Sequence, residues 1–175
     1  MNKTKKLVFG GLFVAVGIAL SLVLHSIGGT QLGSRILPSH FIVILAGMLL
    51  GKWMGLTVGA LMPLLSTLII GMPPLSPPIA VFMMPELATY GFVTGYLSRK
   101  GVNIYLNLLI TVISGRLVYG MGYYLIGKMV HINLQPLTAL ILSFGTGIPG
   151  IVVQFILIPP VYFATRKYIE NSNRS

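Results

Sequence analysis

Five long apolar tracts make up most of the chain, and their lengths limit what it can fold into. A helix needs about 20 apolar residues to cross the hydrocarbon core of a bilayer, which is about 30 Å thick. Only 8% of the 175 residues are charged, against about 25% in an ordinary globular domain. The sequence therefore predicts an all-α integral membrane protein. The tracts cover residues 7–24, 36–70, 79–97, 104–127 and 137–164.

The tract over residues 36–70 is too long for a single span, because its 35 residues would extend roughly 52 Å as one helix. The segment Gly51–Gly55, GKWMG, interrupts it with two glycines, a lysine and an interfacial tryptophan, and predicts a turn. We therefore predict a single membrane domain over residues 1–175 with six transmembrane helices. The predicted spans cover residues 7–25, 37–50, 55–70, 79–98, 104–127 and 137–164.

Basic residues indicate the orientation of these spans. Six spans and a cytoplasmic N-terminus place nine Lys and Arg residues inside, and only Arg35 and Lys128 outside. Treating the long tract as one span would place four inside and six outside. The positive-inside rule therefore favours six spans with both termini cytoplasmic. The net charge of +10 is then mainly an orientation signal, and we expect no nucleic-acid binding.

The first tract could alternatively be a cleaved secretory signal, because KTKK precedes it. Its apolar run of 18 residues exceeds a signal core of roughly 7 to 15 residues, and no A-x-A site follows. We therefore expect a retained first span.

Small residues recur at four-residue spacing, which lets helix backbones approach closely in lipid. Gly11, Ala15 and Ala19 form such a stripe on the first span. Internal packing explains these spacings in general, whereas the first-span stripe is also a candidate external docking face. The other glycines with this spacing are Gly47, Gly51, Gly55, Gly59, Gly91 and Gly95.

Groups for catalysis or metal binding are scarce. The chain has no Cys and no Asp, and its acidic residues are Glu86 and Glu170, so paired carboxylates are lacking. The three histidines lack metal-ligand spacing, and the G-x-x-x-x-G-K match at 122–128 lacks the Ser or Thr of a phosphate loop. We expect no enzyme activity, no metal and no cofactor, so any ATP must be used by other subunits.

Glu86 and Arg116 are ionisable residues inside predicted spans, where a charge costs at least ~2.5 to 3.5 kcal/mol. Counting from the outer ends of their spans, they lie at depths of roughly 10 Å and 16 Å, so Arg116 can reach Glu86. A buried ion pair joining two helices is one interpretation, and contact with a ligand in an outer cavity is the other. Tyr90, Tyr119 and Gln154 lie at helical spacings that would line such a cavity.

The segment 71–78, GMPPLSPP, joins the third and fourth spans on the predicted outer side. Its prolines fix φ and withhold backbone donors, so the connection cannot be helical and is stiff. Pro85 lies next to Glu86 inside the fourth span, and non-helical backbone at this depth is tolerated where it lines a cavity or is buried. The segment is therefore a candidate cap over an outer binding cavity.

Four stretches follow one another in order along the chain: LPSHFIVILAGMLLGKWMG, PLLSTLIIGMPPLSPPIAVFMMPELATYGFVTGYL, SGRLVYG and GIPGIVVQFILIPP. Together they resemble the substrate-binding (S) component of energy-coupling factor (ECF) transporters. The resemblance covers nearly the whole chain, including the six-span layout and the Ala15-x-x-x-Ala19 pattern.

The resemblance implies that the protein captures a water-soluble vitamin or precursor in an outer-facing cavity of a prokaryotic plasma membrane. A transmembrane scaffold subunit and two cytoplasmic ATPases would complete the transporter, with Gly11, Ala15 and Ala19 as the docking face. The family's pockets use the first and third outer loops and spans four to six. The matching positions are His40, Met72, Pro73, Pro74, Leu75, Glu86, Tyr90, Arg116, Tyr119 and Gln154.

A rival hypothesis is a self-sufficient small channel or secondary transporter that uses Glu86 and Arg116 as a charge relay. An intramembrane enzyme is a third, disfavoured by the missing carboxylates. Arg116 would suit an anionic nutrient such as a pantothenate-like acid, unless Glu86 neutralises it.

Overall fold

A computed structural model describes residues 2–73, 79–129 and 136–172, and within these ranges the chain is helical apart from short connections. The predicted all-α class is confirmed for these residues. Six helices follow one another: α1 Lys3–Ile36, α2 Pro38–Leu50, α3 Lys52–Ile70, α4 Ile79–Arg99, α5 Ile104–Met129 and α6 Pro136–Ser172.

Four helical segments are long and apolar enough to cross a membrane. They are Lys3–Gly29, Lys52–Ile70, Ile104–Gly122 and Gly147–Lys167. The helix α2 is apolar but has only 13 residues, and α4 has 21 residues with Glu86 inside it. The six-span count and the side on which the termini lie stay predictions.

Residues with positive φ mark the changes of direction along the chain: Leu37, with φ of 56°, separates α1 from α2, and the others are glycines. The turn predicted over Gly51–Gly55 is confined to Gly51, whose φ of 96° separates α2 from α3. The segment between the first two predicted spans is helical on both sides of a kink at Gly29, where φ is 63°. Glycine reaches these conformations at little steric cost, so one residue suffices for each change of direction.

Backbone contacts between glycines hold α2, α3 and α4 together. A Cβ added to Gly55 would overlap the carbonyl of Gly91, and one added to Gly91 would overlap the carbonyl of Gly55. A Cβ on Gly47 of α2 would likewise overlap the Gly91 carbonyl. Internal packing is therefore the correct interpretation of these glycine spacings.

Replacing Gly91 with alanine is expected to lower stability by about 1–3 kcal/mol, because the backbone of α3 must move to admit a single methyl group. The matched control is Gly11→Ala, since a Cβ at Gly11 meets nothing within 4 Å. Thermal unfolding of both variants in detergent measures the difference. Equal stability of Gly91→Ala and the wild type would contradict the close backbone contact.

The helix α2 lies at the centre of the bundle and packs against α1, α3, α4 and α6. Val43, Ile44 and Ala46 have no exposed surface. Residues of α4, α5 and α6, among them Leu87, Leu108 and Ile158, complete this core. The central position of α2 brings His40, near its N-terminus, into the interior.

Candidate functional site

Four polar side chains from three helices meet inside the bundle at the carboxylate of Glu86. Arg116 Nη1 of α5 lies 3.2 Å from Glu86 Oε1, and His40 Nε2 of α2 lies 3.5 Å from the same oxygen. The Tyr90 hydroxyl, one turn along α4, donates to that oxygen at 3.3 Å. We call His40, Glu86, Tyr90 and Arg116 the polar cluster. Each is at least 95% buried.

Local sequence explains how Tyr90 is held in the polar cluster. Its ring lies against Gly115 of α5, where a Cβ would come within 2.8 to 3.0 Å of three ring atoms. Its other neighbour is the ring of His40, in an edge-to-face contact at 5.2 Å between centroids. The small residue before Arg116 therefore makes room for Tyr90 beside the arginine, and the two aromatic rings fix each other.

Glycines of α6 bring two further elements against the polar cluster. A Cβ on Gly147 would come 2.5 Å from Arg116 Nη2 and 3.4 Å from the Leu37 side chain. A Cβ on Gly150 would come 2.6 Å from the Arg35 carbonyl oxygen. The α1–α2 junction and α6 therefore close over Arg116 through close backbone approaches.

Two buried side chains carry a nitrogen that contacts no polar partner in the described part of the chain. One is His40, whose Nδ1 is unpaired while its Nε2 faces Glu86, and the other is Gln154, whose Nε2 is unpaired and which lies one turn beyond Gly150 on α6. Buried polar groups are normally hydrogen-bonded, and leaving one unpaired costs about 1–3 kcal/mol. A polar ligand that reached these nitrogens would supply the partners.

The charges of the polar cluster nearly cancel. Glu86 and Arg116 form a buried ion pair, and His40 adds a positive charge only when it is protonated. Removing one partner of such a pair typically costs about 3–5 kcal/mol, because the other charge stays buried. The pair expected from the depths of Glu86 and Arg116 is therefore present; it joins α4 to α5 and positions the arginine.

A family model for the substrate-specific component of ECF transporters matches residues 5–162. The chain belongs to this family. No curated protein and no solved structure matched the chain. The S component is a transporter subunit rather than an enzyme, and S components act with scaffold and ATPase subunits. The resemblance seen in the sequence is confirmed, and with its apolar helices the S component is a multi-pass membrane protein.

The remaining predicted site residues of the S component lie on α5, on α6, directly after α3 or outside the described ranges. Tyr119 lies one turn after Arg116 and makes an edge contact with Phe82 at 6.4 Å between ring centroids. Met72 and Pro73 follow α3 and are half-buried, and the Pro73 carbonyl accepts a hydrogen bond from Thr67. Two residues of the predicted cap, Pro74 and Leu75, lie outside the described residues.

The small stripe of α1 faces away from the rest of the S component. Gly11, Ala15 and Ala19 are exposed. On a different face of the same helix, Gly10 and Gly17 pack against methionine side chains of α3. The first span therefore has one glycine face used for internal packing and one small-residue face without a contact at Gly11.

Sequence reasoning missed a second polar network between α4 and α5. Asn107 donates to the Thr94 carbonyl at 3.1 Å, and Thr111 donates to Asn107 Oδ1 at 3.2 Å. All three residues are buried. The signal available was an amide and a hydroxyl four residues apart inside an apolar tract, which is the spacing of one helix face.

Proposed function

We propose that this S component captures a small water-soluble vitamin or precursor in an outer-facing cavity beside the polar cluster. The observation that carries the proposal is the buried Glu86–Arg116 pair beside His40, whose ring nitrogen Nδ1 has no described partner. Six spans with both termini in the cytoplasm, in a prokaryotic plasma membrane, would place this cluster toward the outer side. In such a layout the Gly71–Pro78 segment caps the cavity.

The unpaired nitrogens favour a ligand that carries acceptor oxygens together with a donor such as a hydroxyl. The Gln154 amide nitrogen is a donor only, whereas a neutral His40 with its N–H on Nε2, toward Glu86, leaves Nδ1 as an acceptor. Carboxylate, carbonyl and hydroxyl oxygens would pair with them, and Tyr90 and Tyr119 would supply aromatic walls. Because the negative charge of Glu86 already offsets the positive charge of Arg116, the proposed ligand carries at most one negative charge. Small hydroxy or amide acids of the pantothenate type meet this condition.

The proposed energising partners are a transmembrane scaffold subunit and two cytoplasmic ATPases. The scaffold would dock on the exposed stripe of Gly11, Ala15 and Ala19, where a partner helix can approach closely. The chain itself would need no cofactor, with ATP used by the partner subunits. The family assignment favours this arrangement over a self-sufficient channel with a Glu86–Arg116 relay.

A thermal-shift screen of the purified protein against B vitamins and their precursors tests the proposal. We expect one ligand class to raise the melting temperature, and Gln154→Leu to bind it about tenfold or more weakly, since one hydrogen bond in a buried site is worth about 1–2 kcal/mol. Folding stability should not fall, because the amide nitrogen has no partner to lose.

The matched control for Gln154→Leu is Thr94→Val. The Thr94 hydroxyl is also buried and unpaired, but it lies two turns from Glu86 and one turn beyond Tyr90, toward the other end of α4. Its replacement should leave affinity unchanged. Equal affinity of Gln154→Leu and the wild type would remove Gln154 from the site, and the absence of any shift across the panel would count against a vitamin-like ligand.

A further inference from the structure

One end of the bundle, where α2 meets α3 and α4 meets α5, carries a cluster of cations on aromatic rings. The Lys52 ammonium lies 5.4 Å from the ring centroid of Trp53, 5.6 Å from that of Phe92 and 5.4 Å from that of Tyr96. The Lys100 ammonium lies 4.6 Å from the same Tyr96 ring. We call the following residues the aromatic-cation patch: Lys52, Trp53, Phe92, Tyr96, Arg99 and Lys100.

Arg99 belongs to the same patch through the backbone at the α2–α3 break. A Cβ on Gly51 would overlap the Arg99 guanidinium, so this side chain lies directly over the residue that precedes Lys52. A Cβ on Gly95 would come 2.6 Å from the Lys52 backbone nitrogen. Two glycines therefore bring the three cations of the aromatic-cation patch together at one place on the surface.

The aromatic-cation patch has no described counter-ion. Glu86 is the acidic residue whose side chain the structure describes, and it lies 13 residues before Arg99, roughly 20 Å along α4. Cation–π contacts orient Lys52 and Lys100 and are worth about 0.5–1 kcal/mol at exposed sites, but they leave the charges in place. Three positive charges therefore face outward together from this end of the bundle.

Exposed aromatic residues place the aromatic-cation patch at the level of lipid headgroups. Trp53 is 65% exposed and Tyr96 is 39% exposed, each within one turn of a helix end. Amphipathic Trp and Tyr side chains concentrate at the boundary between hydrocarbon and headgroups. The stacked Phe92 and Tyr96 rings, 6.4 Å apart, continue this apolar surface along α4. The cations lie at the end of this apolar surface, where we expect the phosphate groups of the lipids.

We infer that the aromatic-cation patch binds the phosphate of an anionic phospholipid. Basic residues near a membrane surface contribute about 1 kcal/mol each to the attraction of anionic lipid. The aromatic surface would pack against the acyl chains while Lys52, Arg99 and Lys100 hold the phosphate. The inference rests on the membrane location of the chain and not on the identity of its ligand in the outer cavity.

Native mass spectrometry of the protein in detergent, with phosphatidylglycerol or phosphatidylcholine added, tests the site. The wild type is expected to retain phosphatidylglycerol in preference to phosphatidylcholine. The triple variant Lys52→Gln, Arg99→Gln, Lys100→Gln is expected to bind phosphatidylglycerol about a hundredfold more weakly, given about fivefold for each lost charge. The charge-matched control Lys3→Gln, Lys5→Gln, Lys6→Gln removes three cations at the start of α1, which make no described contact with an aromatic ring, and should weaken binding less than the triple variant of the patch.

A second variant separates lost binding from lost folding. Lys52→Arg, Arg99→Lys, Lys100→Arg keeps the three charges and should retain the phosphatidylglycerol preference. Inorganic phosphate at matched concentrations should not displace the lipid. Equal losses in the two glutamine triples, or displacement by inorganic phosphate, would overturn a dedicated phospholipid site. Loss of scaffold association with unchanged lipid binding would instead assign the patch to a protein partner.

Discussion

Arg116→Ala is expected to lower both ligand affinity and the stability of the folded protein. Arg116 is 96% buried and lies 3.2 Å from Glu86, so truncation leaves a carboxylate inside the bundle without its guanidinium partner. Breaking such a pair typically costs about 3–5 kcal/mol in stability. Loss of one partner of a buried charge pair at a binding site costs about 2 kcal/mol or more, which is at least about thirtyfold in affinity.

The double variant Glu86→Ala, Arg116→Ala distinguishes a structural ion pair from a ligand-binding arginine. Removing both charges should restore part of the stability lost in Arg116→Ala, because no uncompensated charge stays buried. Ligand affinity should stay low if the guanidinium contacts the ligand. Calorimetric titration and thermal unfolding in detergent give the two quantities separately. Wild-type affinity in the double variant would show that the pair only joins α4 to α5.

Ala15→Trp is expected to abolish uptake while leaving ligand affinity of the isolated protein unchanged. Ala15 is exposed on the small stripe of α1, and a Cβ at Gly11, one turn away, meets nothing within 4 Å. An indole there would hold a partner helix away from the backbone, and close backbone approach is what small residues permit in lipid. Uptake by the complete transporter and titration of the isolated protein measure the two effects.

The control for Ala15→Trp is a tryptophan on another lipid-exposed surface. Leu109 of α5 is 48% exposed, and α5 makes no contact with α1 in the described part of the chain. Leu109→Trp should therefore leave both uptake and affinity near the wild type. Normal uptake in Ala15→Trp would remove the stripe as a docking face, and loss of uptake in both variants would indicate a general sensitivity to bulky residues.

Features that depend on one helix alone could be predicted from the sequence. The length of an apolar tract indicates a helix, and residues four positions apart lie on one face of it. The pairing of Glu86 with Arg116 could also be predicted, because the two residues lie at similar depths in two neighbouring predicted spans. The contact of His40 with Glu86 could not be derived in this way. It depends on α2 lying at the centre of the bundle, which packing among several helices decides.

Connections between helices were harder to predict than the helices. A run with Gly28 and Gly29 resembles a loop, yet helical structure continues on both sides of the kink at Gly29. GKWMG resembles a turn of several residues, yet the positive φ of Gly51 alone reverses the chain. A single glycine can make a sharp change of direction, so composition locates a break without giving its length.

The backbone contacts of Gly47, Gly55 and Gly91 divide the polar cluster into two halves with different freedom. His40, Glu86 and Tyr90 belong to α2 and α4, which meet main chain to main chain and cannot separate without losing that fit. Arg116 stands on α5, which meets this unit through side chains such as Tyr90 and Asn107. We therefore expect a rearrangement that admits a ligand to move Arg116 with α5 and to leave His40, Glu86 and Tyr90 in place relative to one another.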